Sequence, residues 1–251
     1  MKNKALVFVL ALLAAGAAIG FYGARTFFKP APSMPGLASP QDEETPAVPS
    51  NLPALETSDD LVRSRAGALS SARAFQEWLK QEALISRLTA ALNMIANGNV
   101  PREIFAGFAP REKFSIAKRD GAVSASPAAY ARFDGFAAMV QGVDAVATAR
   151  LFEELLPLFD AAQSALGERN ADARATFLAA IRELLAAPLA EDAAALKEGK
   201  KGVGWDYADE RLQSLSPAQK QLMRMGPKNQ MLVQTKLRAV SLALGSPVSR
   251  P

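Results

Sequence analysis

The sequence predicts a mainly α fold, in which one transmembrane helix precedes a helical domain with room for one short two-stranded β ribbon. Residues 5–24 form an apolar run without a single charge, and a helix of that length, at about 1.5 Å per residue, crosses the hydrocarbon core of a bilayer. Farther along, apolar residues recur at steps of three and four, which is the period of amphipathic helices. Alternation typical of strands is confined to two short stretches, around Phe114 and around Trp205.

The apolar run is predicted to remain in the protein as an uncleaved membrane anchor. Lysines precede it, Arg25 and Lys29 follow it, and aromatic residues gather between positions 21 and 28, as they do at a membrane interface. A secretory signal cleaved near Ala15-Gly16-Ala17 is the alternative. The positive-inside rule slightly favours residues 1–4 in the cytoplasm. The rest of the chain would then lie in the periplasm of a Gram-negative cell, held at the inner membrane by a single span.

The remaining chain divides into a tether, a domain and a tail. Residues 25–53 are rich in proline and carry an acidic cluster, Asp42-Glu43-Glu44, without a periodic apolar face. This composition indicates an extended spacer, because it offers too little apolar surface for a core. A docking site for a proline-recognising module is the alternative. Residues 54–245 are predicted to form the helical domain, and residues 246–251 a disordered tail.

The long helices of the domain follow from the spacing of apolar residues. Helical patterns cover Phe75 to Asn97, the stretch that Ser126-Pro127 opens, Gln141 to Gly167, and Asn170 to Ala187. Pro157 lies inside the third pattern and predicts a kink or a break one turn upstream. Because the connection between them is short, the third and fourth helices are expected to pack as an antiparallel pair.

Turn and cap signals mark the other elements. Asp120-Gly121 follows the alternating residues 112–118 and predicts a hairpin, and the Trp205 segment is a candidate partner strand for the Phe114 segment. Ser216-Pro217-Ala218-Gln219 has the pattern of a capping box with proline at the first helical position. Gly226-Pro227 then separates this helix from a final one, whose apolar stripe includes Val233, Leu237, Val240 and Leu244.

Several segments match the pattern of a known family. The most specific runs from Leu215 to Asn229 and reads LSPAQKQLMRMGPKN, and shorter ones are Leu52-Pro53-Ala54-Leu55, Tyr130-Ala131-Arg132-Phe133, Leu155-Leu156-Pro157-Leu158 and Tyr207-Ala208-Asp209. In these segments the chain resembles domain of unknown function 3014, an uncharacterised bacterial family found in membrane-anchored proteins. It departs from the family pattern at residues 92–95, where valine-aspartate-asparagine-leucine is expected, and at Leu156, where tyrosine is usual. The resemblance implies an anchored, mostly helical domain and brings no activity, cofactor or catalytic residue.

The composition excludes several kinds of functional site. The chain contains no cysteine and no histidine, which excludes disulfides, thiol nucleophiles, Ser-His-Asp triads and His-ligated zinc, and no cofactor is expected. Four of the 29 basic residues flank the apolar run, and residues 1–29 contain no acid, so the other 25 basic residues balance the 25 acidic ones. The absence of net charge over residues 30–251 argues against nucleic acid as a partner.

Polar residues near the Gly226-Pro227 joint form the first part of a candidate interaction site. They are Gln219, Lys220, Arg224 and Asn229. The free N–H groups and the dipole at the start of the last helix favour an anion or an acidic partner there. The alternative is a capping and hydrogen-bonding network that fixes the angle between the two helices.

Aromatic residues add a second set of candidates. Tyr130 with Arg132, and Trp205 with Tyr207, are expected either to line a groove or to belong to the core, which is the commoner place for aromatic residues. Residues 216–251 hold six basic residues and no acid. Binding of anionic lipid or another anion by the basic C-terminal helices is therefore a further alternative function.

Carboxylates are the main groups that the composition leaves for enzyme chemistry. Glu153, Glu154, Asp160, Asp134 and Asp144 are the candidates for an envelope hydrolase that cleaves glycans with paired acids. Adjacent residues on a helix point in different directions, and no nucleophile or phosphate loop accompanies these acids. The sequence therefore favours a non-enzymatic interaction or scaffolding protein of the cell envelope, with an envelope protein as partner, and keeps the hydrolase as the alternative.

Overall fold

The structure is a computed structural model that describes residues 51–67, 70–167, 172–190, 194–199 and 202–246. Within these ranges, ten α-helices and two two-stranded sheets confirm the mainly α fold class. The predicted membrane anchor, residues 25–50 of the tether and residues 247–251 of the tail lie outside the described residues. No helix in the described part of the chain combines the length and the apolar character that a membrane span requires.

The elements of the domain occur in the following order and with the following bounds. Helices α1 to α5 comprise Asp59–Gly67, Arg73–Trp78, Leu84–Ala96, Pro127–Ala131 and Asp134–Gln141. Helices α6 to α10 comprise Ala145–Ala165, Ala173–Leu185, Glu210–Gln213, Pro217–Met223 and Pro227–Ala243. Strands β1 to β4 comprise Ile116–Arg119, Ala122–Ala125, Leu196–Glu198 and Trp205–Tyr207, and short 3-10 helices comprise Leu55–Thr57 and Ala106–Phe108.

The main core of the domain lies between α3, α6, α7 and α10. Helix α3 packs along α7 and α6, and α10 packs against α5, α6 and α7. Phe152 of α6 is fully buried, and its ring centroid lies 4.5 Å from that of Phe177 of α7 and 5.2 Å from that of Phe159. The stripe predicted for the last helix is buried in the same core, at Val233, Leu237, Val240 and Leu244. Removing these apolar surfaces from water is the main stabilising contribution.

Helix α6 continues through a proline. Asp144 caps its start by accepting a hydrogen bond from a backbone N–H of the first turn over 2.8 Å. The helix then runs without interruption, so a break one turn upstream of Pro157, one of the two predicted outcomes, is wrong. Pro157 has no N–H to donate to the carbonyl one turn upstream. Burial of its neighbours Leu155 and Leu158 in the core compensates for the missing bond and keeps the segment helical.

The single helix predicted from Phe75 to Asn97 is wrong, because residues 79–83 divide it into α2 and α3. The two carboxylate oxygens of Asp59 accept hydrogen bonds from the N–H groups of Ala83 and Leu84, each over 2.8 Å. Ala83 adopts a left-handed conformation with φ of 54°, which an alanine tolerates only where surrounding contacts compensate. A residue of α1 therefore satisfies the free N–H groups at the start of α3 from outside that helix.

Within the described part of the domain there are two β ribbons where one is predicted. Strands β1 and β2 are antiparallel and are joined by Asp120-Gly121, both with positive φ, as a type I′ hairpin turn requires. The pairing predicted between the Trp205 and Phe114 segments is wrong, because β4 pairs with β3 and places Tyr207 opposite Leu196. The physical reason is the short connection between β3 and β4, which closes at a lower entropic cost than a pairing across the whole helical region. Strand β3 lies beside β2, so the ribbons share one side of the domain.

Candidate functional site

A cleft of about 880 Å³ lies between the two ribbons, α4 and α9. Six of the side chains that line it are basic, namely Arg102, Arg111, Lys113, Arg132, Lys220 and Arg224. Two are acidic, Glu112 and Asp206, and four are aromatic, Phe114, Tyr130, Trp205 and Tyr207. We call this site the cationic cleft. Its volume lies in the usual range of ligand-binding pockets, which combine aromatic walls with a few well-placed polar groups.

The cationic cleft brings together most of the candidate interaction residues. Its lining includes five of the seven, namely Tyr130, Arg132, Tyr207, Lys220 and Arg224. These side chains come from three separate parts of the chain, α4 and the turn after it, strand β4, and α9 with the residue that follows it. The fold therefore places one charged and aromatic surface where the sequence offers scattered residues.

Arg224 follows the last turn of α9, and its half-buried side chain lines the cationic cleft. Its Nη2 donates to the carbonyl of Trp205 over 3.2 Å, and the guanidinium forms no ion pair within the described residues. Burial lowers the pKa of Arg224, and the nearby cation of Arg102 lowers it further, whereas Tyr207 and Asp206 raise it. A guanidinium that is largely removed from water and lacks a carboxylate costs folding free energy.

Arg132 lies between α4 and α5, and one of its hydrogen-bond donors has no partner among the described residues. Its Nε donates to the carbonyl of Ala129 over 2.8 Å and its Nη1 to the carbonyl of Glu112 over 3.2 Å. Its Nη2 is buried and has no hydrogen-bond partner among the described residues. The guanidinium also lies 5.4 Å from the centroid of the Phe114 ring, within cation–π distance. Burial lowers the pKa of Arg132, Glu112 raises it and Arg224 lowers it.

Lys220 and Tyr207 complete the inner wall of the cationic cleft. The Nζ of Lys220 donates to the carbonyl of Gln213 over 2.8 Å, and burial and the charge of Arg224 both lower the pKa of this lysine. Tyr207 is 5% exposed, and burial raises its pKa to about 12. The wall therefore presents a neutral phenol beside cations that repel one another, and an anion placed among them would relieve that repulsion.

The other two candidates have bonds that fit the capping alternative. Gln219 completes the predicted capping box, since its N–H donates to Ser216 Oγ over 3.1 Å and its Oε1 accepts from the N–H of Ser216 over 3.2 Å. The Nδ2 of Asn229 donates to the carbonyl of Tyr130 over 3.1 Å and to Asp134 over 2.9 Å. Both side chains hold α9 and α10 in place, outside the lining of the cationic cleft.

The joint between α9 and α10 requires a glycine. Gly226 has φ of 81°, and a Cβ at this position would lie 2.6 Å from the Tyr130 ring. Only glycine allows both the backbone conformation and this close approach. Gly226 therefore positions one aromatic wall of the cationic cleft.

The five carboxylates considered for hydrolysis have structural partners. Asp144 and Asp160 accept hydrogen bonds from backbone N–H groups at helix starts, and Asp134 accepts from the Asn229 amide. Glu153 and Glu154 form ion pairs with arginines at 2.8 and 3.2 Å. None of the five belongs to the lining of the cationic cleft. Within the described residues, no cluster of three or more acidic side chains could hold a metal ion.

Sequence reasoning missed the outer residues of the cationic cleft. Arg102, Arg111 and Lys113 lie in irregular chain before β1, where no periodicity marks a face. The density of basic residues in this loop, followed by Phe114, is the one signal that could have identified it.

The cationic cleft and most of the core lie in the part of the chain that matches a family model. A family model described as "Protein of unknown function (DUF3014)" matches residues 84–241. No curated protein and no solved structure matches the chain. The family match covers more than half of the 251 residues and includes every residue that lines the cationic cleft. The chain therefore belongs to the DUF3014 family.

Proposed function

We propose that this protein is a non-enzymatic interaction module of the bacterial cell envelope. Residues 5–24 anchor it in the inner membrane, residues 25–53 hold the domain away from the bilayer, and the cationic cleft binds a partner protein in the periplasm. The observation that carries the proposal is the half-buried guanidinium of Arg224, which has one carbonyl partner and no carboxylate among the described residues.

The charge of Arg224 supports binding because a half-buried cation without a carboxylate partner destabilises a folded protein. If residue 224 served only the stability of the fold, an apolar side chain there would give a higher free energy of unfolding. A partner carboxylate would supply the missing hydrogen bonds, and such charge-assisted bonds are stronger than neutral ones. The folding free energy that the uncompensated charge costs the free protein is then offset by the hydrogen bonds formed in the complex.

The aromatic walls support a protein as the partner. Tyrosine, tryptophan and arginine are the residues that most often dominate the free energy of protein–protein binding. The cationic cleft combines Arg224 with Tyr207 and the half-buried Trp205. The anchor and the spacer limit the search for partners to proteins at or near the membrane surface.

The proposal is tested by site-specific photocrosslinking in intact cells. A photoreactive amino acid replaces Val203, which lines the cationic cleft and is 37% exposed, or Val146 on α6, which is 52% exposed and lies outside the lining. We expect a reproducible protein adduct from position 203, none from position 146, and loss of the position-203 adduct in an Arg224→Gln background. Equal adducts from both positions, or no adduct from position 203, would overturn the proposal.

The membrane part of the proposal has its own measurement. Mature protein should remain with the inner membrane after alkaline extraction, at the mass of the full chain. Protein that appears in the soluble periplasmic fraction, shortened at its N-terminus, would show that residues 5–24 act as a cleaved leader instead.

A further inference from the structure

The position of the charges in the cationic cleft determines which ligand it can accept. Arg224 and Arg132 are the two arginines of the lining that are at least half-buried and still have unused hydrogen-bond donors, and they stand on different walls, after α9 and after α4. The two are close enough that the charge of Arg224 lowers the pKa of Arg132. Phe114 and Trp205 supply apolar surface in the same lining.

We propose that the cationic cleft binds an extended acidic peptide segment, with one carboxylate on Arg224, a second on Arg132, and apolar side chains against Phe114 and Trp205. This inference rests on the proposed function and adds the chemistry of the ligand. A guanidinium binds a carboxylate through two parallel N–H donors. Arg132 contributes its unpaired Nη2, which is buried in the free protein and which a shift of the side chain exposes to the ligand, and Arg224 has donors beyond the one bonded to Trp205.

The acids of the cationic cleft argue against a compact polyanion. Glu112 and Asp206 line the same cleft as the six basic residues. Glu112 raises the pKa of Arg132 and Asp206 raises that of Arg224, so each arginine already has part of its charge compensated. A single peptide carboxylate at each arginine therefore meets less repulsion than a multiply charged phosphate or a dense layer of lipid headgroups. A volume of about 880 Å³ is also far more than a single small anion needs to be enclosed.

The peptide would be recognised through its side chains, because the outer edge of β4 is already occupied. The inner edge pairs with β3. On the outer edge, the carbonyl of Trp205 accepts from Arg224 over 3.2 Å, and the N–H of Tyr207 donates to the Gln213 side chain over 3.0 Å. A ligand strand could not add to this sheet without displacing these bonds. Binding should therefore depend on the charge pattern of the peptide and only weakly on its backbone.

Trp205 provides the readout. It is one of two tryptophans in the chain. The other, Trp78, is 2% exposed and donates to the carbonyl of Ile104 over 3.0 Å, so its emission should not respond to a ligand in the cationic cleft. The full chain is placed in nanodiscs of zwitterionic lipid and titrated with a short blocked peptide that alternates glutamate and leucine. We expect a saturable change in tryptophan emission, and no change in a Trp205→Phe variant.

Matched peptides and variants test the assignment of charges. A glutamine–leucine peptide of the same length should bind at least about tenfold more weakly, because a hydrogen bond to a charged group contributes about 1.5–3 kcal/mol. Arg224→Gln should weaken binding of the acidic peptide about 10- to 100-fold. Arg102→Gln, at an exposed position of the lining whose loss should not disturb folding, should weaken it about two- to fivefold. Lys118→Gln removes one exposed charge on β1 outside the lining and should leave binding unchanged.

The outcomes that overturn the inference are equally specific. They are equal binding of the glutamate and glutamine peptides, unchanged binding in both Arg224→Gln and Arg102→Gln, or a saturable emission change with inorganic phosphate alone or with anionic lipid in the nanodisc. If the peptide fails while the Arg224-dependent adduct from position 203 persists in cells, the ligand chemistry is wrong and the proposed function stands. If the peptide binds and the adduct is absent, the cleft chemistry stands and the proposed cellular role is wrong.

Discussion

The Gln163 amide in the helical core and the two arginines of the cationic cleft differ in how completely their polar groups are hydrogen-bonded. In the core, Gln163 of α6 is 1% exposed and its Nε2 donates to Thr176 Oγ1 of α7 over 3.0 Å, while its Oε1 accepts from Asn93 of α3 over 2.7 Å. In the cationic cleft, Arg224 has a single carbonyl partner and Arg132 leaves Nη2 unbonded within the described residues. Satisfied polar groups fix how three helices pack, whereas unsatisfied cations destabilise the free protein.

The two regions also differ in apolar burial. One continuous cluster of buried side chains extends from Val62 to Leu244 through the helices. Beside the cationic cleft, a separate small cluster contains Ala190, Ala194, Tyr207 and Met223. Most of the folding free energy should therefore come from the helices. It follows that exposed side chains of the cationic cleft, such as Arg102, should be replaceable for binding studies without unfolding the domain.

The largest expected effect tests where the stability resides. Phe152→Ala removes a fully buried ring that contacts two other phenylalanines and should lower the free energy of unfolding by about 3–5 kcal/mol. Trp205→Ala, at a half-buried position of the cationic cleft, should cost clearly less. Urea unfolding of the full chain in mild detergent, followed by far-UV circular dichroism, measures both. Equal losses would contradict the contrast between the regions.

The next effect lies at the joint that connects the two regions. Gly226→Ala places a Cβ 2.6 Å from the Tyr130 ring at a φ of 81° and should lower the free energy of unfolding by about 1–3 kcal/mol. Gly135→Ala is the control, because a Cβ there meets nothing within 4 Å, and an alanine inside α5 should be neutral or slightly stabilising. A Gly226→Ala variant as stable as Gly135→Ala would show that the joint can rearrange.

The elements that could be predicted from the sequence are those with local causes. The stripe of α10 depends on spacing within one helix, the capping box on four successive residues, and the hairpin on Asp120-Gly121. The division between α2 and α3 could not be predicted, because its cause is Asp59, which is distant in sequence and near in space. The predicted pairing of β4 is wrong for a similar reason, since two strand-like segments do not show which strand each will pair with.

The candidate site could be predicted in part because its inner wall lies beside a conspicuous motif. Arg224 and Lys220 stand next to the Gly226-Pro227 joint, where polar residues are unexpected in a core. Arg102 and the loop before β1 reach the same cleft only through the tertiary fold. Sequence also could not separate Asn229, which is buried and holds the joint, from Arg224, which lines the cleft.

A smaller effect concerns the pH dependence of stability at Tyr207. Burial raises its pKa from 10.0 to about 12, so above pH 10 the unfolded chain releases the phenolic proton before the folded protein does. Stability is thus complete below pH 10 and is lost as pH rises toward 12. At pH 11 the free energy of unfolding should be lower than at pH 9 by about 1.4 kcal/mol from this phenol alone. Urea unfolding at pH 9 and pH 11 should show a steeper loss in the wild type than in Tyr207→Phe, and identical slopes would contradict the burial of the phenol.

The smallest expected change in stability is the one at Arg224. Arg224→Gln loses a hydrogen bond to the Trp205 carbonyl and gains relief from the repulsion of Arg132 and Lys220, so the free energy of unfolding should change by less than about 1 kcal/mol. The matched core variant, Gln163→Leu, leaves the Asn93 side chain without its partner and should cost about 1–3 kcal/mol. Urea unfolding of both variants under the same conditions compares them directly. If Arg224→Gln proves as costly as Gln163→Leu, the cleft cation supports the fold in the same way as the core amide, and its lack of a carboxylate no longer points to a ligand.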